Sequence, residues 1–232
     1  SLLAVRDINH IYIVVERRAL YMLIVPNIIE ETSKGIQSFT IQDSMLRNRE
    51  IFLTGEINEE SATEIIRQLM YLESRSSDPV TLYISSPGGS IMSGMAIYDY
   101  IGVMQSQVNT VCIGLAASMG AILFLAGEER MILPHSKVMI HDPSYGGNAS
   151  IAGQKPLEIQ EHLNSLMKTR QILADVIGAR TGMSRKRVLN LTKKDSYFTA
   201  EEAVREGLAT RILDSAVTSD GFRKVQAEDT PF

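Results

Sequence analysis

Two short segments place residues capable of chemistry between an apolar run and a helical pattern. The first is Ser86-Pro-Gly-Gly89. Paired glycines accept unusual dihedrals and let a ligand come close to main-chain N–H groups. A helix start just beyond would add unpaired donors and a partial positive charge. Such a place can hold an oxyanion or a phosphate, although a tight strand–helix turn is the simpler reading of those four residues alone. The second segment is Gly114-Leu-Ala-Ala-Ser-Met-Gly120. Small neighbours leave Ser118 open to a substrate backbone, as a serine on a nucleophile elbow is. The G-x-S-x-G pattern is not met, because the glycines stand four residues before and two residues after the serine, at Gly114 and Gly120. Taken by itself, Ser118 reads more simply as a helix N-cap.

A serine nucleophile needs a base and an acid to orient that base. The chain has four histidines. His10 lies in an atypical N-terminal stretch, His162 inside a long helical pattern, and His135 after Pro134 in a turn. His141 ends an apolar strand pattern just before Asp142-Pro143 and would emerge at a sheet edge, so it is the best-placed base. Asp195 lies in a polar connection, where a solvated loop aspartate is the plain reading. No His-Glu-x-x-His and no Cys/His cluster points to a metal, and Cys112, inside an apolar run, reads as core. No P-loop or G-x-G-x-x-G points to a nucleotide or another cofactor.

These residues must be positioned by alternating strands and helices. Ile51–Thr54 reads as a strand ending at Gly55, followed by a helix that Ser61 can cap and that carries Ile65, Ile66, Leu69, Met70 and Leu72 at helical spacing. Val80–Ile84 is the next strand, with residues 86–89 as its turn. Ile91, Met95, Ile97, Tyr98 and Ile101 mark a helix. Val108–Ile113 is a strand and Ala117–Ala126 a helix; Arg130–Leu133 and Lys137–Ile140 are short strands. A loop rich in Gly, Ser and Asn covers 144–153. A long helix then runs from about Pro156 to Ala179, with Leu163, Leu166, Met167, Ile172 and Ile177 as its apolar stripe and Gly182 at its end. Ser184 opens a short helix to about Leu191. Thr199-Ala-Glu-Glu202 is a capping-box pattern, and Leu208–Leu213 is a last strand. This alternation predicts an α/β domain with a mostly parallel sheet.

The chain has 232 residues, 44% hydrophobic and 22% charged, which is ordinary for a globular protein with a real core. One cysteine excludes an internal disulfide and suits a reducing, cytoplasmic setting. A net charge of −4 gives no basic footprint for nucleic acid. The uncharged stretch Val108–Gly127 reads as a strand plus a helix, so no membrane span is expected. Residues 1–21 differ in pattern from the rest of the chain, and Met22 could be a natural start, with 1–21 an added or upstream segment. Glu16, Arg17 and Arg18 argue against a secretory signal there. One domain over 22–214 and a polar tail over 215–232 are expected.

Four blocks together resemble the ClpP family of caseinolytic serine peptidases. They are Ser86-Pro-Gly-Gly89, Ala116-Ala-Ser-Met-Gly120, Val138-Met-Ile-His-Asp-Pro143 and Phe198-Thr-Ala-Glu-Glu-Ala203. The stretch from Val25-Pro26 to Glu31-Thr32 is similar to the family's N-terminal segment, and the likeness covers roughly Leu23–Asp214. It implies a crotonase-like fold of stacked sheets wrapped by helices, with a protruding handle helix at about 156–179. It implies Ser118 as nucleophile, His141 as general base, Asp195 as the orienting acid, and the Gly89 and Met119 N–H groups as the oxyanion hole. The implied assembly is two stacked heptameric rings enclosing a chamber, which an AAA+ unfoldase fills with unfolded polypeptide. A catalytically silent paralogue in a mixed ring and a crotonase-type acyl-CoA enzyme are the rival readings. This sequence departs from the family pattern in a longer stretch near 147–153 and in Leu115, Thr81 and Lys194. Asp142 stands where Gln is usual, and an extra carboxylate there would favour the imidazolium of His141.

Overall fold

The computed structural model describes residues 3–6, 12–15, 27–32, 35–144 and 153–213. The expected segment boundary at Met22, the extra residues at 147–152 and the tail from 215 lie outside the described residues. The chain divides into two compact units, Ser1–Ser44 and Met45–Phe232. In the first, β1 (Leu3–Arg6) pairs antiparallel with β2 (Tyr12–Val15), and β3 (Asn27–Thr32) pairs antiparallel with β4 (Gly35–Thr40). Helix α1 (Ile41–Arg47) opens where Thr40 and Asp43 exchange side-chain-to-backbone hydrogen bonds.

The second unit is built on a seven-stranded, mostly parallel sheet. Its main path runs β10 (Ser196–Phe198), β9 (Lys137–Ile140), β7 (Val108–Ala117), β6 (Val80–Gly89), β5 (Glu50–Ile57). Strand β8 (Arg130–Ile132) pairs with β7, and β11 (Arg211–Ile212) with β8. Only β10 runs antiparallel, against β9. The helices are α2 (Glu59–Arg75), α3 (Ile91–Val103), α4 (Met119–Ala126), α5 (Pro156–Thr181), α6 (Arg185–Leu191) and α7 (Ala200–Arg205).

Strand β7 explains the branching. Its first half lies beside β8, with Cys112 opposite Ile132; its second half lies beside β9, with Leu115 opposite Lys137. The change of partner falls at Gly114, whose φ of 74° is a conformation that glycine adopts without strain. The Gly114 N–H donates to the Ser136 hydroxyl, so the bend keeps its backbone satisfied. Helix α4 is apolar throughout and buried from Met119 to Leu125, the pattern of a helix enclosed on all sides. Leu53, Leu82, Ile84, Ile97 and Phe124 form the centre of the core around it.

Several expected boundaries move. The Ser86–Gly89 segment is not a turn: β6 continues through it, with Glu56 opposite Gly88 and Ile57 opposite Gly89. Strand β5 likewise passes Gly55 through a register shift rather than ending there. Strand β7 runs to Ala117, and α4 begins only at Met119. Asn58 caps α2; Ser61 is the return half of that box, its hydroxyl accepting from the Asn58 N–H. In α5 the buried residues are Leu173, Ala174 and Ile177, whereas Leu163, Met167 and Ile172 are exposed. The expected last strand shrinks to Arg211–Ile212.

Candidate active site

Two strand ends bring Ser118 and His141 together. Ala117, the last residue of β7, lies opposite Met139 of β9, and the Ser118 N–H donates to the Met139 carbonyl at 2.9 Å. Ser118 comes directly after β7 and His141 directly after β9. Their side chains meet with His141 Nε2 2.8 Å from Ser118 Oγ.

Ser118 stands at the N-cap position of α4, but its side chain makes no capping hydrogen bond. Its backbone has φ 55° and ψ −121°, a region that non-glycine residues rarely occupy and that costs about 1–3 kcal/mol. The surroundings over-determine that conformation. A Cβ on Gly88 would come within 2.6 Å of Ser118 Cβ and 2.8 Å of the Ala117 carbonyl oxygen. The end of β6 therefore lies directly against the serine, and only a residue without a side chain fits. Gly89 is equally confined, since a Cβ there would be 2.2 Å from the Ile57 oxygen. Buried Ser86 braces this strand end: its hydroxyl donates to the Gly55 carbonyl at 2.6 Å and accepts from the Gly88 N–H at 3.1 Å. Met119 is the first residue of α4, so its N–H has no partner within the helix.

The β9–β10 ladder positions Asp195. Ser196 lies opposite Ile140 in an antiparallel pair, so the preceding Asp195 comes opposite His141, the residue after Ile140. Asp195 Oδ1 is 3.6 Å from His141 Nδ1, and its side chain is 62% exposed. That separation is an ion-pair distance, longer than a hydrogen bond. Ser118, His141 and Asp195 thus form one line with a closed arm and an open arm.

His135 is exposed after β8 and His162 is exposed on α5, while His10 lies outside the described residues. Burial raises the Cys112 thiol to about 12, and its Sγ faces the Lys137 carbonyl, as in a structural cysteine. Among the described residues, no group of three or more His, Cys, Asp and Glu is placed to hold a metal, and no helix is long and apolar enough to cross a membrane.

Asp142 is tied to two residues distant in the sequence. Its carboxylate accepts from Arg170 Nε at 2.7 Å and from the Thr192 hydroxyl at 2.5 Å. Sequence reasoning missed Arg170 and Thr192: Arg170 is 28 residues from Asp142, and nothing local marks either residue. An apolar hollow beside Ser118 and His141 is lined by Ile122, Ile140, Leu173 and Ile177. Leu173 falls outside the apolar stripe expected for α5, although its spacing of four from Ile177 is the kind of signal that could have marked this wall. The family model described as Clp protease matches residues 33–216, most of the chain.

Proposed function

This chain belongs to the Clp protease family, a family of serine peptidases whose fold its mostly parallel α/β architecture matches, and we propose that it is a serine endopeptidase acting through Ser118, His141 and Asp195. The observation that carries this reading is the 2.8 Å contact between His141 and a strained serine that does not cap its own helix. Ser118 Oγ attacks the scissile carbonyl carbon as its proton passes to His141 Nε2. Asp195 faces Nδ1, keeps the proton on that nitrogen, and stabilises the imidazolium that forms. The Gly89 and Met119 N–H groups receive the oxyanion; losing one such donor costs about 100- to 1,000-fold in rate. His141 then returns the proton to the leaving amine, and water hydrolyses the acyl-enzyme with His141 as base. The hollow walled by Ile122, Leu173 and Ile177 would receive an apolar substrate side chain.

The chemistry needs no cofactor in this chain. Substrates would be unfolded polypeptides, supplied in the cytoplasm by an ATP-hydrolysing AAA+ Clp unfoldase to a chamber of two stacked heptameric rings. The exposed Leu157, Leu163, Met167 and Ile172 on α5 support the stacking, because a ring-to-ring contact would cover apolar surface that α5 otherwise leaves to water.

Active-site labelling tests the proposal. A fluorophosphonate should modify the purified chain at Ser118, as located by peptide mapping. Ser118→Ala should abolish both the label and hydrolysis of a fluorogenic peptide. A label that persists at another serine, with peptidase activity intact, would refute the assignment.

A further inference from the structure

Arg170 ties three parts of the molecule together at one point. It projects from α5. Its Nε donates to Asp142, the residue after His141, and a terminal nitrogen donates to the Leu189 carbonyl at 3.0 Å. Leu189 lies in the last turn of α6, where carbonyls lack helical partners and a cation is favoured. Asp142 passes the connection on. Its N–H donates to the Thr192 carbonyl at 2.6 Å, and its carboxylate accepts from the Thr192 hydroxyl. Thr192 is buried, comes directly after α6 and stands three residues before Asp195.

The segment carrying the base and the segment carrying the acid are therefore joined twice. The Ile140–Ser196 pairing joins them on one side of the His141–Asp195 contact, and the Asp142–Thr192 pair joins them on the other. The contact between these two joints is 3.6 Å and largely exposed. An exposed pair at that distance is weak and does not hold itself in place. The Arg170–Asp142 pair is better sheltered, with side chains 17% and 31% exposed, and its charge-assisted bonds are of the stronger kind.

Resting on the peptidase reading, we infer that Arg170 is a positioning residue: through Asp142 and Thr192 it holds His141 and Asp195 at working separation. It touches neither substrate nor reacting atoms in this role. Because Arg170 belongs to α5, displacement of that helix would loosen the acid arm while leaving the Ser118–His141 arm on its strands. Removing the guanidinium also leaves a half-buried carboxylate without its partner, so the joint should open rather than close up.

The test uses the full-length chain with R170M, R170K, D142N and the R170M/D142N double variant. Hydrolysis of a fluorogenic peptide, fluorophosphonate labelling, melting temperature and assembly size are measured on each, and crystal structures are determined for wild type and R170M. R170M should lower kcat about 10- to 100-fold, the cost of misplacing a catalytic group by about 1 Å, with KM changed less than about threefold. The double variant should be no worse than the worse single, because both break one joint. R170K should recover part of kcat, since it keeps the charge but not the two-armed fork. In the R170M structure the His141–Asp195 separation should exceed the native 3.6 Å. If R170M does not fold, D142N and R170K carry the same kcat and structural comparison. An unchanged kcat, additive losses in the double variant, or a loss that follows melting temperature while the triad stays in place would each overturn the inference. If wild type takes no label at Ser118, the peptidase reading fails instead, and the crystallographic separation still decides whether Arg170 sets the geometry.

Discussion

The two ends of the proposed catalytic line are built differently. Ser118 sits at the end of β7, in the middle of the sheet, with its N–H bonded to β9, its neighbour Met119 buried, and the glycine run of β6 pressed against its Cβ. Asp195 sits beside β10, a three-residue strand at the edge of that sheet, with its side chain mostly in water. Backbone pairing and close packing preset the nucleophile end. The acid end depends on side-chain bonds reaching in from α5 and α6. Strain can be stored at Ser118 because its surroundings leave no alternative. At Asp195 nothing comparable confines the carboxylate, and its arm is the open one. Perturbations of the nucleophile end should therefore act through steric exclusion and be severe, whereas those of the acid end should be graded.

Ser118→Ala, which removes the attacking atom, has the largest expected effect. Gly88→Ala is the sharpest steric challenge to the same end. The added methyl would meet Ser118 Cβ at 2.6 Å and the Met119 nitrogen at 2.9 Å, on a residue whose φ is 97°. Neither neighbour is the flexible tip of a side chain, so the backbone must shift. We expect a loss of at least about 100-fold in kcat, because the shift displaces both the proposed nucleophile and a proposed oxyanion donor. Strain of about 1–3 kcal/mol should also lower the melting temperature. Near-wild-type kcat in Gly88→Ala would mean that the nucleophile end is not preset by packing.

Asp195→Asn challenges the other end. Replacing a buried triad aspartate by asparagine costs about 10,000-fold in the best-studied serine protease. Here the carboxylate is exposed and 3.6 Å from the imidazole, and water can take over part of its role. The expected loss in kcat is therefore smaller, about 10- to 100-fold. A loss as large as that of Gly88→Ala would show that the acid arm closes fully in the working enzyme and would erase the contrast between the two ends.

The sequence makes some of this legible and hides the rest for physical reasons. Ser118 and His141 can be singled out because each adjoins a strand pattern, and strand ends are where a parallel sheet exposes side chains; Asp195, in a polar connection with no strand pattern beside it, is marked by the family resemblance alone. The Gly88–Gly89 pair reads as a turn because glycine usually marks one; pairing with β5 overrides that local signal. Asn58 and Ser61 are both good capping residues, so residue type alone does not decide which one caps α2 and which one answers it. Along α5 the periodic apolar residues read as one buried stripe, although only Leu173, Ala174 and Ile177 are covered within the described residues. Arg170 is invisible in the sequence because its meaning lies in a carboxylate 28 residues away and a carbonyl 19 residues away. Tertiary hydrogen bonds of that kind leave no periodic trace.

The smallest expected effect again separates the two ends. Cys112 lies in β7, fully buried, and burial raises its thiol to about 12. A raised thiol pKa means less thiolate at any given pH. At pH 8 the reactive fraction is about one part in ten thousand, against roughly a quarter for an ordinary exposed cysteine of pKa near 8.5. Iodoacetamide at pH 8 should therefore leave the native chain unalkylated and its peptidase activity unchanged, while the urea-unfolded chain reacts within minutes. A cysteine introduced at exposed Lys194, beside Asp195, should react at the rate of a free thiol. The ratio of the two rates measures how much more closed the nucleophile end is than the acid end. Comparable rates at both positions would show that β7 opens on the timescale of labelling. The rigidity ascribed to Ser118 would then belong to the static structure alone.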